Sequence, residues 1–302
     1  LINFTKFNSE WKMLTEQTFI LNNIDSFELK DIFECGQCFR WNAESNWSYT
    51  WIFLGNLLNI QKIENQIIFH WLVNWNIESI VQKYFDLDRN YKEIKNQLSN
   101  IDIYMQQSIA YGQGIRLLNQ DLWETIISFI ISANNNIPRI KWIIERMSEK
   151  YWTKFIWNNK KYYTFPTIEQ LKDASILDLR RLWLGFRDER IFSTTRMILD
   201  GKTSLQQFYS QDTLTVREQL LKLNGVWPKV ADCILLFSDL KRLEVFPIDV
   251  RVRRVINDLY IRNPNEQKVN KNQILKLAQD KFWNLAWIAQ EYLFYWARTQ
   301  KY

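Results

Sequence analysis

The chain has 302 residues, of which 47% are hydrophobic and 24% are charged, so it is long enough to bury a full core in one or two domains. Its net charge of +6 suits a partner with a phosphate backbone, although many basic proteins bind no nucleic acid. No apolar run is long enough to span a bilayer, and the polar start of mixed charge argues against a signal peptide. Because the first residue is Leu1, we expect the true start to lie upstream or to use an unusual codon.

The cysteines and the single histidine argue against a metal centre. Cys35 and Cys38 form a C-x-x-C pair, but no second pair follows. A four-ligand zinc or iron–sulfur site would need both of them together with Cys233 and His70. Three cysteines also fall short of a disulfide framework, so we expect reduced thiols, no metal and no cofactor.

Glycine is scarce in this chain and tryptophan is abundant. There are 7 glycines and 15 tryptophans, whereas average usage predicts roughly 21 glycines in a chain of this length. Trp47, Trp152 and Trp227 stand in contexts typical of turns or caps, where glycine tolerates a positive φ and tryptophan does not. One hypothesis is that the source reads UGA as glycine and that a table reading UGA as tryptophan produces the excess. The alternative is a tryptophan-rich protein with few loops that need glycine.

Residues 16 to 72 show the pattern of an antiparallel sheet. Short apolar or aromatic runs at 18–21, 50–54 and 66–71 are separated by Asn, Asp, Ser and Glu, which is typical of strands and turns. From residue 77 onward the spacing of apolar residues becomes helical. The clearest helical patterns cover 77–84, 123–132, 137–150, 216–223, 228–237, 250–259 and 285–297.

These patterns predict an α+β fold class with two parts. An N-terminal domain, residues 1–112, contains an antiparallel β-sheet with helices. An all-α region, residues 113–302, follows, and we expect its last helix to pack back near the N-terminal domain.

Residues 219–256 are predicted to form two helices joined by a tight turn. One helix ends near Leu223, the turn follows, and Pro228 begins the next helix, where its missing N–H costs nothing. Such a helix–hairpin–helix points free backbone N–H groups at a DNA phosphate. We therefore expect Gly225, Val226 and Trp227 in the turn to contact DNA.

Lys229 lies in the first turn of the second of these helices, and Asp249 stands at the next helix start. By position alone they read as a solvated surface lysine and an N-cap. Cys233, four residues after Lys229, shares its helix face. We expect the helix N-terminus and nearby arginines to lower the Lys229 pKa, as a nucleophilic amine requires. A capping Asp249 can still present one carboxylate oxygen to a reaction centre.

The sequence Gly-Val-x-Pro-Lys-Val-Ala-Asp-Cys, followed by Phe-Pro-Ile-Asp-Val, resembles the signature of the helix–hairpin–helix DNA glycosylase superfamily. More narrowly, it resembles the 8-oxoguanine DNA glycosylase/AP lyase family, and the resemblance covers most of the chain. It implies that Lys229 is the nucleophile, that Asp249 is its acidic partner and that Cys233 lines the base pocket. Purely monofunctional relatives lack the lysine.

Four further segments resemble motifs of the same family. Residues 35–41 resemble the motif in which a glycine carbonyl, here that of Gly36, accepts a hydrogen bond from N7–H of 8-oxoguanine. Residues 289–294 resemble the helix that binds the edge and stacks on the ring of the base. The resemblance assigns these two roles to Gln290 and Phe294.

The other two segments resemble parts of the family's DNA interface. Residues 132–139 resemble the stretch that contacts the orphaned cytosine, which implies that Asn134 and Arg139 fill the space left by the flipped base. Residues 184–187 resemble the motif with a wedge and a second cytosine-reading arginine, matched here by Phe186 and Arg187.

The chain also departs from the family pattern. Asn224 stands where a proline is common, and Trp227 occupies the second hairpin glycine. Trp183 and Trp287 stand where the family often has glycine, and Arg251 stands where a histidine is frequent. If Trp227 is genuine, we expect a distorted hairpin and a weaker affinity for DNA.

The resemblance implies a base-excision-repair enzyme that removes 8-oxoguanine paired with cytosine and cleaves the strand through a lysine Schiff base. Alternatives are a glycosylase for alkylated or other damaged purines, and a non-catalytic DNA-binding protein that retains the hairpin. The expected partner is double-stranded DNA containing oxidised guanine, with no membrane. We further expect a cytoplasmic monomer, associated with the nucleoid if the source is a bacterium.

Overall fold

The structure, a computed structural model, describes residues 3–7, 10–14, 16–53, 55–71, 77–151 and 154–300. The strands of these residues are β1 (Asn3–Phe7), β2 (Glu10–Leu14), β3 (Gln17–Asn22), β4 (Asn42–Ala43), β5 (Tyr49–Phe53), β6 (Asn56–Ile63), β7 (Gln66–Trp71), β8 (Lys154–Trp157) and β9 (Lys160–Tyr163). The α-helices are α1 (Leu29–Glu34), α2 (Ile77–Tyr84), α3 (Tyr91–Ser99), α4 (Ile103–Tyr111), α5 (Leu122–Ser132), α6 (Ile137–Lys150), α7 (Ile176–Arg180), α8 (Asp188–Leu199), α9 (Thr213–Leu221), α10 (Pro228–Phe237), α11 (Val250–Ile256), α12 (Lys271–Phe282) and α13 (Ala286–Ala297). Within the described ranges, no helix is both long and apolar enough to cross a bilayer. The predicted α+β class is confirmed.

The N-terminal sheet is antiparallel, with the strand order β3-β7-β6-β5-β4. Buried side chains alternate with more exposed ones along β7, so one face of the sheet is buried. Ile60 and Phe69 are opposite each other and fully buried, and Phe33 of α1 stacks on Trp41 with ring centroids 4.1 Å apart. The runs predicted as strands at 18–21, 50–54 and 66–71 correspond to β3, β5 and β7, although residue 54 lies outside the described residues.

The region predicted to be all-α also contains a β-hairpin. Strands β8 and β9 pair with each other, and β8 pairs with β1, which gives a second sheet of order β2-β1-β8-β9. Asn158 and Asn159 form the turn at φ 48° and 61°, and asparagine is one of the residues that tolerate this left-handed conformation. The Asn-Asn pair was the available sequence signal for this hairpin.

Helix α5 lies at the centre of the helical region, and its apolar residues are buried on every side. The Asp121 side chain caps it by accepting a hydrogen bond from the Glu124 amide at 2.8 Å.

The predicted helices at 123–132, 137–150, 228–237 and 285–297 agree with α5, α6, α10 and α13 within one residue. The helix predicted at 216–223 begins earlier, at Thr213, because Asp212 caps it there. The pattern predicted at 250–259 covers α11 and a wider π-helical turn at 257–261.

A buried glutamine fixes the loop that follows α1. The Gln37 side chain, only 1% exposed, donates to the carbonyl oxygens of Ile32 at 2.9 Å and Arg116 at 2.8 Å. Its own amide oxygen accepts from the Leu118 N–H at 2.8 Å. Both N–H hydrogens of the Gln37 amide and its oxygen therefore form hydrogen bonds with the backbone. These bonds join the loop to the segment after α4.

The same loop is joined to the last helices of the chain. The Gln120 side chain donates to the Gln37 carbonyl at 2.7 Å and to the Phe237 carbonyl, at the end of α10, at 3.1 Å. Arg298, just after α13, donates to the Cys35 carbonyl at 3.0 Å. The C-terminal end of the chain therefore packs against the N-terminal region and helps to place residues 35–38.

We expect Gln37→Leu to lower the free energy of unfolding by about 3 kcal/mol, because it leaves a buried amide and two buried carbonyls without their partner. Chemical denaturation of the purified variant measures this loss. The control is Gln113→Leu, since Gln113 is exposed, and it should leave the midpoint nearly unchanged. Equal midpoints for the two variants would contradict the role given to Gln37.

Candidate active site

A cavity of about 400 Å³ opens where the loop after α1 meets α5, α10 and α13. Residues predicted for different roles come together here from distant parts of the chain. Its lining includes both predicted catalytic residues, all four predicted base-binding residues and one predicted DNA-binding residue, namely Lys229, Asp249, Gly36, Cys233, Gln290, Phe294 and Asn134.

Lys229 projects from the first turn of α10 into this cavity. Its Nζ lies 3.9 Å from Oδ2 of Asp249, and a third of each side chain is exposed. The ammonium also lies 5.6 Å from the centre of the Phe129 ring, within the range of a cation–π contact. The amine is thus held inside the cavity, away from the outer surface expected from its helical position alone.

The prediction that the Lys229 pKa is lowered is wrong in direction. The pKa is raised, first by Cys233 and then, against the opposing effect of burial, by the Asp249 carboxylate. Burial raises the pKa of the Cys233 thiol to about 12, although Lys229 lowers it. The neighbours of the amine outweigh the effect of its burial, and Lys229 must give up a proton before it can act as a nucleophile.

Asp249 uses its two carboxylate oxygens for different purposes. Oδ1 accepts a hydrogen bond from the Val252 amide at 2.9 Å and caps α11, as predicted. Oδ2 faces the Lys229 amine. The cap fixes the orientation of the carboxylate, so that one oxygen is always presented to the cavity.

Gly36 lies at the cavity with a φ of +118°, a conformation that residues with a side chain rarely adopt. A Cβ here would lie 3.6 Å from the Phe294 ring and 3.7 Å from the Arg298 guanidinium. The backbone is therefore free to approach a ligand in the space beside Phe294.

Helix α13 supplies two predicted side chains and one that the sequence analysis missed. Nε2 of Gln290 donates to the Pro247 carbonyl at 2.6 Å, while its buried Oε1 has no hydrogen-bond partner among the described residues. Glu291, 4% exposed, also lines the cavity. Burial raises the pKa of Glu291 to about 8, although Lys229 and Arg298 lower it. An acidic residue inside an otherwise apolar helix was the available signal.

Three of the six predicted DNA-binding residues outside the cavity lie on two neighbouring turns. Arg139 is exposed in the first turn of α6, and Phe186 is 52% exposed beneath the guanidinium groups of Arg187 and Arg190. Arg187 itself is buried and donates to the Asn134 carbonyl at 2.9 Å. It therefore fixes the turn that carries Asn134, and its reading of cytosine stays a prediction.

The helix–hairpin–helix forms as α9, a turn and α10. Gly225 has a φ of +89°, and a Cβ there would lie 2.7 Å from Cδ of Arg190. Val226 is buried, and its amide donates to the Leu223 carbonyl at 3.1 Å. The distortion expected at Trp227 is absent, because its φ is −92° and its side chain points outward, 62% exposed.

An ion-pair cluster holds the two helices of this hairpin at a fixed angle. Asp232 of α10, 4% exposed, accepts from Nε of Arg217 on α9 at 2.6 Å. Lys271, at the start of α12, lies 3.4 Å from the other carboxylate oxygen. A buried carboxylate with two cationic partners has most of its charge balanced, so α10 and the Lys229 that it carries are firmly seated.

Comparisons with known proteins agree with this architecture. Residues 19–126 match the 8-oxoguanine DNA glycosylase N-terminal domain, and residues 127–280 match the HhH-GPD superfamily of base excision DNA repair proteins. An N-glycosylase/DNA lyase of Saccharomyces cerevisiae is 32% identical over 276 residues, which cover 82% of this chain and 71% of the relative.

Two solved structures are similar over nearly their whole length. MBOgg1 in complex with a low-affinity DNA ligand has a TM-score of 0.88 at 37% identity, covering 94% of this chain and 98% of that chain. The 8-oxoguanine glycosylase/lyase of Clostridium acetobutylicum, in complex with double-stranded DNA containing cytosine opposite 8-oxoguanine, has a TM-score of 0.86 at 39% identity, covering 95% and 98%. The chain therefore belongs to the HhH-GPD superfamily of base excision DNA repair proteins, and within it to the N-glycosylase/DNA lyases with an 8-oxoguanine DNA glycosylase N-terminal domain.

Proposed function

We propose that this protein removes 8-oxoguanine paired with cytosine from duplex DNA and then cleaves the strand through a Schiff base on Lys229. The observation that carries the proposal is the Lys229 amine inside the cavity, 3.9 Å from Asp249. Gly36 and Phe294 line the same cavity. The relative from Clostridium acetobutylicum was solved on DNA with this lesion and this opposite base.

The cavity has the size required by an extruded base. A base inside the duplex is out of reach, so it must be turned out of the stack before chemistry begins. The volume of about 400 Å³ falls in the range of small-ligand pockets, roughly 300–1,000 Å³. 8-Oxoguanine has a proton on N7 where guanine has only an acceptor, so one carbonyl oxygen, assigned here to Gly36, discriminates between the two.

Chemistry begins when the unprotonated Lys229 amine attacks C1′ of the damaged nucleotide. The bond from C1′ to the base breaks, the base leaves with the bonding electrons and takes up a proton, and the Lys229 nitrogen loses one. The sugar ring then opens, its oxygen takes up a proton, and an iminium remains on the lysine. Loss of a C2′ proton expels the 3′ phosphate and cuts the strand.

Asp249 stabilises the positive charge that develops on the sugar as the base departs. Its cap to α11 holds one oxygen in place beforehand, so the carboxylate need not reorganise during the reaction. Its second effect is to keep Lys229 protonated until the substrate arrives, because the carboxylate raises the lysine pKa. Lys229 must therefore pass this proton to Asp249 or to solvent before it attacks C1′.

The remaining parts of the proposal concern the base opposite the lesion, the location of the protein in the cell and its oligomeric state. Asn134 borders the cavity, and exposed Arg139 and Phe186 lie near it, so this face suits the cytosine left behind by the flipped base. Work on chromosomal DNA, in the cytoplasm or the nucleoid of a bacterium, stays a prediction, as does the monomeric state.

We expect Lys229→Gln to abolish borohydride trapping on duplex DNA with 8-oxoguanine, because no amine remains to form the iminium. Gel analysis of the trapped complex, with the lesion opposite each of the four bases, measures both the activity and the opposite-base preference. Lys276→Gln, at an exposed position on α12, is the matched control and should trap normally. Full trapping by Lys229→Gln would refute the assignment.

The same assay separates the alternative functions. Absence of trapping in the unmodified protein would favour a non-catalytic DNA-binding protein. Trapping on alkylated purines instead would favour a glycosylase for alkylated or other damaged purines.

Asp249→Asn should slow base release by about 100-fold, because it removes the charge that stabilises the sugar cation. Asparagine still accepts the capping hydrogen bond, so folding and DNA affinity should be preserved. Single-turnover kinetics and a binding titration separate the two effects. Asp212→Asn changes the cap of α9 in the same way and should have no effect on rate. A loss of binding with an unchanged rate would show that Asp249 is only a cap.

A further inference from the structure

We propose that Glu291 is a specificity-determining residue whose neutral carboxyl group donates a hydrogen bond to a carbonyl oxygen of the extruded base. This inference rests on the proposed function. Glu291 is 4% exposed and lines the cavity next to Gln290. Lys229, Arg298 and Asp249 act on its carboxyl group electrostatically, and no hydrogen bond to this group is found among the described residues. A polar group this deeply buried requires a partner, and the cavity is where one can enter.

The two polar residues of α13 complement each other. Nε2 of Gln290 is committed to the Pro247 carbonyl, which leaves its Oε1 as a buried acceptor without a partner. A protonated Glu291 adds a donor to the lining of the same cavity. Oxidised guanine offers N–H donors next to a carbonyl oxygen, so one base satisfies both residues at once.

The charges that face Glu291 come from four elements. Lys229 and Cys233 project from α10, Asp249 from the start of α11, Arg298 from the end of α13, and Cys35 lies beyond α1. Burial raises the pKa of Glu291 to about 8. It also raises the pKa values of both thiols, which lie above that of Glu291. The raised pKa of Lys229 keeps this amine charged near pH 8. Glu291 therefore loses its proton first as the pH rises.

Ionisation of Glu291 removes the donor and adds a second anion beside Lys229, which favours the unreactive ammonium. Base release should accordingly decline above about pH 8. Glu291→Gln keeps an N–H donor and cannot ionise, so its rate should stay level above pH 8, where that of the unmodified protein declines. Glu291→Ala lacks the donor and should be about tenfold slower than the unmodified protein at neutral pH.

Single-turnover release of 8-oxoguanine from pH 6 to pH 10 measures these profiles, and Tm values confirm that the variants fold. A preformed abasic site has no base to recognise, so loss of the Glu291 donor should slow its cleavage less than it slows base release. Glu169→Gln, at an exposed position, is the control. A decline above pH 8 that persists in Glu291→Gln overturns the proposal. Failure of the unmodified protein to cleave the abasic site overturns the proposed function itself.

Backbone conformation carries a second, independent inference, which concerns tryptophan. Trp47, Trp183 and Trp283 have φ angles of 64°, 66° and 49°. Left-handed backbone is costly for any residue with a Cβ, and a bulky side chain is a genuine outlier there. The chain has 19 phenylalanines and 13 tyrosines, yet none in its described part has a positive φ. Tolerance of aromatic residues in general therefore does not explain the three tryptophans.

Each of the three stands where a turn or a helix end calls for glycine, and none is packed into the core. Trp47 lies in the turn before β5 and is 83% exposed. Trp183 follows α7 and is 63% exposed. Trp283 follows α12 with a ψ of −131° and is 61% exposed, and glycine is the usual residue at such helix ends.

We infer that the protein made by its own source carries glycine at positions 47, 183 and 283, through a UGA codon that the source reads as glycine. Glycine at these three positions accounts for part of the shortage of glycine in the chain, 7 residues against roughly 21 expected. The backbone gives no such reason at Trp227, whose φ is negative, or at Trp287, which is fully buried within α13. Trp152 lies outside the described residues.

Mass spectrometry of peptides from the native protein tests this inference directly, and tryptophan at all three positions would overturn it. In the chain with tryptophan, Trp47→Gly, Trp183→Gly and Trp283→Gly should each raise Tm, by roughly 2–4 °C, through relief of strain. Trp142→Gly is the matched control, because Trp142 is also exposed, at 46%, but lies within α6. It should lower Tm, since glycine weakens a helix. A fall in Tm for all four variants would contradict the inference.

Discussion

The active site depends on the hydrogen bonds of one buried amide, the side chain of Gln37. The cavity is built from segments that lie far apart in the chain, and no single element contains it. Gln37 forms hydrogen bonds with the backbone of the segment after α4, and Gln120 joins Gln37 to the end of α10. Because Lys229 is on α10 and Gly36 precedes Gln37, this network sets the distance between Lys229 and the loop that carries Gly36.

Electrostatics inside the cavity oppose a reactive lysine in the resting protein. Lys229 faces Asp249 at 3.9 Å, and the pKa of the amine is raised by its surroundings. A second acid, Glu291, is buried close by, and its own pKa is raised to about 8. With Glu291 neutral, the Asp249 carboxylate is the charged partner of the Lys229 ammonium in the cavity. The electrostatic effect between Glu291 and Lys229 couples the protonation of the two groups.

The sequence predicted the parts of the site that depend on local chemistry. Capping by Asp249 and the start of α10 at Pro228 follow from rules that act within a few residues, and both are confirmed. The pKa direction of Lys229 was wrong, because it depends on neighbours brought together only by the fold. The packing of Phe129 against the amine could not be foreseen either, since it lies in an apolar helix and reads as core. The hairpin at 154–163 was missed because its strands are only four residues long.

The hairpin and the exposed Phe186 are mechanically joined through α8. Arg190 of α8 packs against the space that a Cβ of Gly225 would occupy, and its guanidinium lies 4.7 Å from the centre of the Phe186 ring. Thr194, one turn further along, donates to the Asn224 carbonyl at 3.1 Å. Arg190 therefore contacts both the hairpin turn and the aromatic ring. Gly225 is thus required twice, for its positive φ and for the room it leaves to Arg190.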